Sequence, residues 1–561
     1  MLGQMFQPFV EKSAVSVMAR AALERLLSPQ WVDEVFEQTE GRHYTRTLLF
    51  SSVFTLMVRV VFGHAKSVRK AYLPQASEIA VSLASVYNKL NGIPLTVPRA
   101  LVRESAVACA ELIDRIGGQR ESDLTGYRLR ILDGNCVAST QHRIQELRTL
   151  GAGALPGKSL VVFDPALRCA IDLVPSEDGH VQERALLGEI LPTVKRGDLW
   201  IADRNFCTRG FLFGIADRDA HFGVREHHNL PVQSCGAQKK VGTIPTGRVF
   251  EQPVKIVWQG ENGEEKVLHL RRVTVRLKGQ TRDGDREIHI LTNLPKQVKA
   301  TKVANLYRSR WRIETAFQEL QRDLNSEIHT LGYPRAALFA FSIALVAYNI
   351  MALVYAALRA THGASKIDEE FSHNFLADEL ELTHRGMMIA VPDEHWAVFA
   401  TMTDRKFAAV LLYLARHVDL TLFPKSKRGP KKKPPKKKGS PDRSVGARWE
   451  DSWHRDVDVG AAEEDETDQV LGTVKAVGSS GEGSDLSVES LGATVGESGP
   501  HVGDDAVEVC LQGAGYLPKG GQPGTLRPVD PFEELAPGHV LLSAIEDLGQ
   551  GLFEQVRPVD T

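Results

Sequence analysis

Asp198-Leu-Trp-Ile-Ala-Asp203-Arg-Asn-Phe206 is the stretch on which the fold turns. Four apolar residues lie between two acids, which predicts a short buried strand that delivers Asp203 at its C-terminal end, where α/β sheets build their clefts. Upstream, Tyr127-Arg-Leu-Arg-Ile-Leu-Asp133-Gly-Asn135 alternates polar and apolar residues, which predicts a strand closed by a Gly-Asn turn at Asp133. Either acid taken alone also reads as a turn former or helix cap.

Working outward, strand-like segments are expected at Tyr127–Leu132, Ser159–Phe163 and Cys169–Val174. A helix over Val181–Val194 follows, then the strand Asp198–Ala202, a helix over Arg209–Asp217 and a strand at His221–Arg225. Three antiparallel-looking strands, then helix, strand, helix, strand, is the order of a ribonuclease-H-like sheet, although order alone admits other α/β folds. The expected class is therefore α/β, with a ribonuclease-H-like core over 121–225 and 287–335. A β-rich insertion over 226–286 interrupts that core, with short pieces at Val254–Trp258 and Lys266–Val275. Glu287–Thr292 reads as a return strand and Val303–Leu324 as one long helix.

Helical regions flank this core. Over 1–120, apolar residues recur at three and four in Ala14–Leu27, Thr45–Val61 and Leu101–Ile116. A second helical block spans 336–424. Phe339–Leu358 in that block is long enough to cross a bilayer, but Ser342, Asn349, two tyrosines and many alanines mark it as a buried helix.

The formal charge of −2 conceals a strong asymmetry. Residues 441–561 hold 24 Asp/Glu and 7 Lys/Arg, a net of −17, which leaves 61 basic and 46 acidic residues, a net of +15, in 1–440. Such a surplus fits a polyanion partner, nucleic acid foremost, or simply a solvated basic surface. Lys425–Lys438 combines nine basic residues with three prolines, so 425–440 is expected to be an extended polybasic arm, in contact with DNA phosphates or acting as a solubilising linker. The acidic, Gly/Ser-rich segment 441–561 is expected to be mostly disordered. Cys109, Cys136, Cys169, Cys207, Cys235 and Cys510 occur singly, with no pair at metal-ligand or redox spacing, and read as reduced thiols. Glu11–Lys12 and the absence of a basic-then-apolar pattern argue against a secretory signal.

The third chemical element lies in Tyr307-Arg-Ser-Arg310-Trp311-Arg-Ile-Glu314-Thr-Ala-Phe-Gln-Glu-Leu-Gln321. Offsets of three, seven and fourteen from Tyr307 would set Tyr307, Arg310, Glu314 and Gln321 along one helical face. That segment resembles the Y-R-E-K signature of DDE-type insertion-sequence transposases, the family numbered four. Asp133-Gly-Asn and Ile-Ala-Asp203-Arg-Asn-Phe resemble that family's two aspartate motifs, and the likeness covers about residues 10–435. One position departs from the pattern: Gln321 stands where the family has lysine, with Arg322 beside it.

The resemblance implies a catalytic and metal-binding triad of Asp133, Asp203 and Glu314 holding two Mg²⁺ or Mn²⁺ ions. Hard oxygen ligands suit those ions, and a two-ion clamp suits phosphodiester chemistry. It implies DNA contacts from Tyr307 and Arg310. Trp311 would stack on an unpaired base unless that ring packs in the core, and Arg322 is expected to replace the missing lysine unless it simply faces solvent. The expected activity is cut-and-paste transposition: nicking, hairpin formation and resolution, and strand transfer. Its substrate would be double-stranded DNA with terminal inverted repeats, bound by the N-terminal helices. The expected form is a homodimer with no membrane association, in the bacterial cytoplasm at the nucleoid. Another metal-dependent nuclease on the same sheet, or a decayed end-binding repressor, remains an alternative.

Overall fold

The computed structural model describes residues 3–425 apart from 41–46, 138–156, 260–263, 282–283, 329, 373, 380–386 and 388–389. The chain divides into two units, Met1–Thr467 and Asp468–Thr561, and every described residue belongs to the first. The expected polybasic arm, beyond Lys425, and the acidic tail lie outside the described residues.

The chain opens with helices α1 (Gln7–Leu26), α2 (Pro29–Glu40), α3 (Phe50–Val61), α4 (Val68–Tyr72), α5 (Leu83–Gly92) and α6 (Thr96–Ile116). Their limits follow local chemistry. Pro29 sits in the first turn of α2, where its missing N–H is no loss. The Ser82 hydroxyl accepts from the Ser85 N–H at 3.2 Å and so caps α5. Gly117, in the left-handed region at φ 72°, ends α6 and returns its N–H to the Ile113 carbonyl.

Strands β1 (Arg128–Cys136), β2 (Lys158–Asp164) and β3 (Cys169–Ser176) pair antiparallel, while β4 (Asp198–Ala202) and β5 (His221–Arg225) run parallel to β1. The next strands are β6 (Gln233–Ser234), β7 (Lys239–Ile244), β8 (Gly247–Gln259), β9 (Glu265–Leu277) and β10 (Glu287–Thr292). The sheet order is β3-β2-β1-β4-β5-β10-β9-β8-β6, with β7 paired to β8. The expected succession of three antiparallel strands followed by two parallel ones is therefore present, in a mixed sheet. The strands of 226–286 are longer than the short pieces expected, since β8 and β9 form a thirteen-residue ladder, and they extend the same sheet through β10.

Both faces of the sheet are covered. Leu132, Val162, Trp200, Ala202 and Val224 pack against α7 (Leu187–Ile190) and α8 (Arg209–Ala216). Ile131, Val161, Phe163, Leu199 and Ile201 face the other layer, built on α6 and the long helix α11 (Pro334–His362). Between sheet and α11 run α9 (Ala300–Arg308) and α10 (Trp311–Asp323), and α12 (Ala364–Glu370), α13 (Asp393–Ala400) and α14 (Asp404–Arg416) complete the helical layer.

Helix α11 is apolar all round because it is the centre of that layer, and its membrane-length apolar stretch is entirely buried. Its polar Asn349 is fully satisfied: it accepts from the Ala170 N–H at 2.8 Å and donates to the Ala170 carbonyl at 2.9 Å and to Ser105 Oγ at 3.3 Å. One amide thus ties α11 to β3 and α6.

Three expectations are corrected. Asp133 does not close its strand: β1 continues through Gly134, Asn135 and Cys136, because β2 still offers Leu160, Ser159 and Lys158 as partners. The helix expected over Val181–Val194 is broken into a 3₁₀ turn at Glu183–Leu186, α7, and a second 3₁₀ turn at Leu191–Thr193 that contains Pro192. The single helix expected over Val303–Leu324 is two, α9 and α10. At their junction the Ser309 hydroxyl takes the Leu306 carbonyl at 2.6 Å, and Arg310 N and Ile313 N bond three residues back, tightening the chain into 3₁₀ turns.

Candidate active site

The parallel ladder of β1 and β4 pairs Arg128 with Asp198 and proceeds to Leu132 with Ala202, where β4 stops. One further step along both chains reaches Asp133 and Asp203. Two residues 70 apart in sequence thus each follow the last paired residue of adjacent parallel strands, which run about 4.8 Å apart. Side-chain alternation along β1 sends Ile131 and Asp133 to the same face, the one occupied by α9 to α11.

Each aspartate is held by the backbone that follows it. Asp133 Oδ1 accepts the Gly134 N–H at 3.0 Å, and Asp203 Oδ1 accepts the N–H of Asn205, capping the 3₁₀ turn Arg204–Phe206. Asp133 Oδ2 accepts from Arg310 Nη1 at 3.0 Å, and the other end of that guanidinium, Nη2, pairs with Glu314 Oε1. Asp133, Arg310 and Glu314 are thus joined, although 177 residues separate Asp133 from Arg310. Arg310 is buried. Burial opposes its charge, but Asp133, Tyr307 and Glu314 outweigh that and push its pKa up, so the cation is fixed in place.

Burial also raises the Asp133 pKa well above the ordinary carboxylate range. Arg310 opposes the rise, while Glu314, Asp203 and Glu183 add to it. An excess of acid around a single guanidinium favours any further cation that can enter. The donors are all hard oxygens, which fit Mg²⁺ or Mn²⁺ and not a thiolate-seeking metal. As the side chains stand, no three acids, histidines or cysteines among the described residues converge closely enough to hold a metal ion. Arg310 occupies the space between Asp133 and Glu314.

The remaining predicted residues divide. Tyr307, in the last turn of α9, is buried and packs in the core, so with the break at Ser309 it does not share a continuous helical face with Glu314. Trp311 is 45% exposed, which overturns core packing for that ring. It borders a cleft of about 300 Å³ together with Lys302, Arg308, Arg312 and Asp123. Gln321 and Arg322 lie exposed in the last turns of α10, and Arg322 Nε pairs with Asp323 Oδ1 at 2.7 Å.

Two features had no sequence signal strong enough to single them out. Glu183, in the 3₁₀ turn before α7, accepts from Asn205 Nδ2 at 2.5 Å. Its only mark in the sequence is an acid ahead of an apolar run. Arg168, in the β2–β3 turn with φ 62°, reaches under α10 and α11. Its Nη2 pairs with Glu319 Oε2 at 2.9 Å and its Nε donates to the Tyr348 hydroxyl at 3.2 Å. Tyr348 in turn donates to Glu319 Oε2 at 2.9 Å, which anchors the helix that carries Glu314.

Residues 125–350 match the family described as Transposase DDE domain, a span that contains Asp133, Asp203 and Glu314. The chain is 28% identical over 196 residues to "Putative transposase y4zB" of Sinorhizobium fredii, a match covering 35% of this chain and 52% of that protein. It thus spans about half the length of the curated relative it matches. Among solved structures, a "Cryo-EM structure of piggyBac transposase synaptic complex with hairpin DNA" matches at 11% identity and a TM-score of 0.29, over 72% of this chain and 78% of that one. A likeness that slight does not bear on the fold.

Proposed function

We propose that this chain is a DDE-type transposase of the Y-R-E-K kind that carries out cut-and-paste transposition. Its core would be ribonuclease-H-like, and Asp133, Asp203 and Glu314 would be its catalytic and metal-binding acids. The observation that carries this reading is the β1–β4 register, which makes Asp133 and Asp203 neighbours, with Arg310 linking Asp133 to Glu314.

Asp133, Asp203 and Glu314 would hold two Mg²⁺ or Mn²⁺ ions, which when bound activate the attacking water or 3′-hydroxyl and neutralise charge on the leaving oxygen. The chain's own groups do the rest. The N–H groups of Gly134 and Asn205 orient the two aspartates, which leaves carboxylate oxygens directed into the site. Arg310 is a buried fork between two acids, and a scissile phosphate would receive the same pair of donors. Tyr307, packed behind Arg310, supports that guanidinium in addition to any phosphate contact of its own.

Trp311 offers an exposed ring beside Lys302, Arg308 and Arg312, a combination of π-face and cations that suits an unpaired nucleotide at a nicked or hairpinned end. The net +15 of residues 1–440 supplies the wider attraction for transposon-end and target DNA. Two ends must be held together for insertion, so the working form is a homodimer, cytoplasmic and associated with the nucleoid, with the N-terminal helices contacting the terminal inverted repeats.

Asp133→Ala, Asp203→Ala and Glu314→Ala should each abolish Mg²⁺-dependent cleavage of element-end DNA and leave specific binding nearly intact, since each removes a ligand and not the DNA-reading surface. Gel-resolved cleavage and mobility-shift titrations measure the two separately. Cleavage at the wild-type rate by any one variant would remove that residue from the triad.

A further inference from the structure

Strands β7 to β9 carry an exposed basic row. On β8, Arg248 stands directly opposite Arg276 of β9, and its neighbour on β7 is Thr243. Two residues along β8, Phe250 lies beside Lys240 of β7. Lys240, Thr243, Arg248 and Arg276 are all exposed. Like charges set directly opposite each other weaken a sheet. Arg276 is compensated, by Glu287 at 2.8 Å and by the Phe250 ring, whose centre lies 4.2 Å from its guanidinium. Arg248 has an arginine and a threonine as its cross-strand partners, and no acid.

Alternation fixes the side of the sheet on which this row lies. Val254, Ile256 and Leu270 pack on the side of α7 and α8, so Arg248, Phe250 and Arg276 point to that side, whereas Val249, Val273 and Val275 pack on the side of α9. Register fixes its level. Ala202, Val224, Leu291, Arg272 and Gln252 form one row across the sheet. From Arg272, β9 runs four residues further to Arg276, about 13 Å, in the direction in which β4 delivers Asp203. The basic row thus projects past the acid end of the sheet. Past the end of β5, between β4 and this extension, the chain continues into His227 and His228. Burial first, and then His228, Arg184 and Arg204, lower the His227 pKa against the pull of Asp203, so these cationic groups gather beside that acid. The acids therefore lie between two basic surfaces, one built on α9 and α10 around Trp311 and the other on the opposite face of the sheet.

We propose that the outer face of β7–β9 seats the phosphate backbone of a DNA duplex irrespective of its sequence, and that this duplex is the target of insertion. The target role rests on the transposase reading. Exposed charges on a broad sheet face reach phosphates, which carry no sequence information, and so suit a duplex of arbitrary sequence. The surface on α9 and α10, with its stacking ring, is left for the element end. A merely structural row would gain from losing one of two opposed arginines, so its retention fits a polyanion partner.

The test uses the full chain with a random-sequence duplex, read by fluorescence anisotropy over a salt series, and with a pre-cut element-end duplex and a plasmid target for strand transfer. The double variant Lys240→Gln with Arg248→Gln should bind the random duplex about tenfold more weakly, with a salt slope lower by about two phosphate contacts. Strand transfer at limiting plasmid should fall about tenfold, while cleavage of element-end DNA stays within about twofold of wild type. The variant should melt no lower than wild type, because it relieves opposed like charges. Lys266→Gln, on the same face at the other end of β9, should leave every readout unchanged. Random-duplex affinity and salt slope equal to wild type in the double variant would overturn the proposal. So would an equal loss of element-end binding, which makes this face a seat for the end, or altered sedimentation without DNA, which makes it a subunit contact. Loss of random-duplex binding by the variant of a chain that neither cleaves nor joins element ends would overturn the transposase reading and the target role with it, and leave the duplex contact standing.

Discussion

Glu319→Gln tests what holds the signature helix in place. Arg168 and Glu319 are each only 12% exposed, and they meet through two contacts, Nη2 to Oε1 at 3.0 Å and Nη2 to Oε2 at 2.9 Å. The Arg168 guanidinium also lies 4.2 Å from the centre of the Tyr355 ring. Removing one partner of such a buried pair strands the other charge and costs about 3–5 kcal/mol. Glutamine still accepts from Arg168 and Tyr348, so the lower end, about 3 kcal/mol, is expected. With a urea dependence near 3 kcal/mol per M, the unfolding midpoint should fall by about 1 M. The assay is urea unfolding followed by circular dichroism. Arg168→Met combined with Glu319→Leu should recover most of the loss, because it removes the stranded charge together with its partner. A Glu319→Gln midpoint equal to wild type, or a double variant less stable than Glu319→Gln, would refute the idea that this ion pair anchors α10.

Two further outcomes follow from the structure. Arg322→Ala should weaken binding to element-end DNA and lower the salt slope by about one phosphate contact, and Gln321→Lys in that background should restore most of the loss. Because Arg322 is paired with Asp323, Asp323→Asn should tighten binding; normal binding and cleavage by Arg322→Ala across a salt series would show that Arg322 does not replace the signature lysine. Burial pushes the Cys109 and Cys207 thiols up to about 12, whereas Cys235 is exposed. At pH 8, iodoacetamide followed by peptide mapping should therefore label Cys235 in the native chain and reach Cys109 and Cys207 only after unfolding, and rapid native labelling of either buried thiol would contradict the packing described around it.

The strands at 198–202, 221–225 and 287–292 were legible to the residue, because short apolar runs with polar ends have one economical reading as buried strands. So was the buried character of α11, where Asn349 within an alanine-rich run implied a protein partner that Ala170 and Ser105 supply. The three acids were legible as residue types in motifs. The link from Asp133 to Glu314 through Arg310, and the placing of Asp133 and Asp203 on paired strands, were not, since they depend on pairings that periodicity does not encode: β1 with β4, and Arg310 with Asp133 across 177 residues. The same limit explains the misreadings. Strand β1 runs past Asp133 because β2 is there to pair with it, and the helix at Ser309 breaks because a hydroxyl captures a carbonyl that local propensity assigns to the helix. The break at Ser309 also interrupts the helical face that the spacing of Tyr307, Arg310, Glu314 and Gln321 implied, leaving Tyr307 buried at the end of α9 and Trp311 exposed at the start of α10. Glu183 shows the division most clearly: in sequence it is an acid before an apolar run, and only the folded chain brings it to Asn205, whose N–H holds Asp203, and against Gly134, 49 positions away. Local chemistry fixes which segments become strands and helices, but side chains that meet across the sheet are chosen by register and packing, which exist only once the chain has closed on itself.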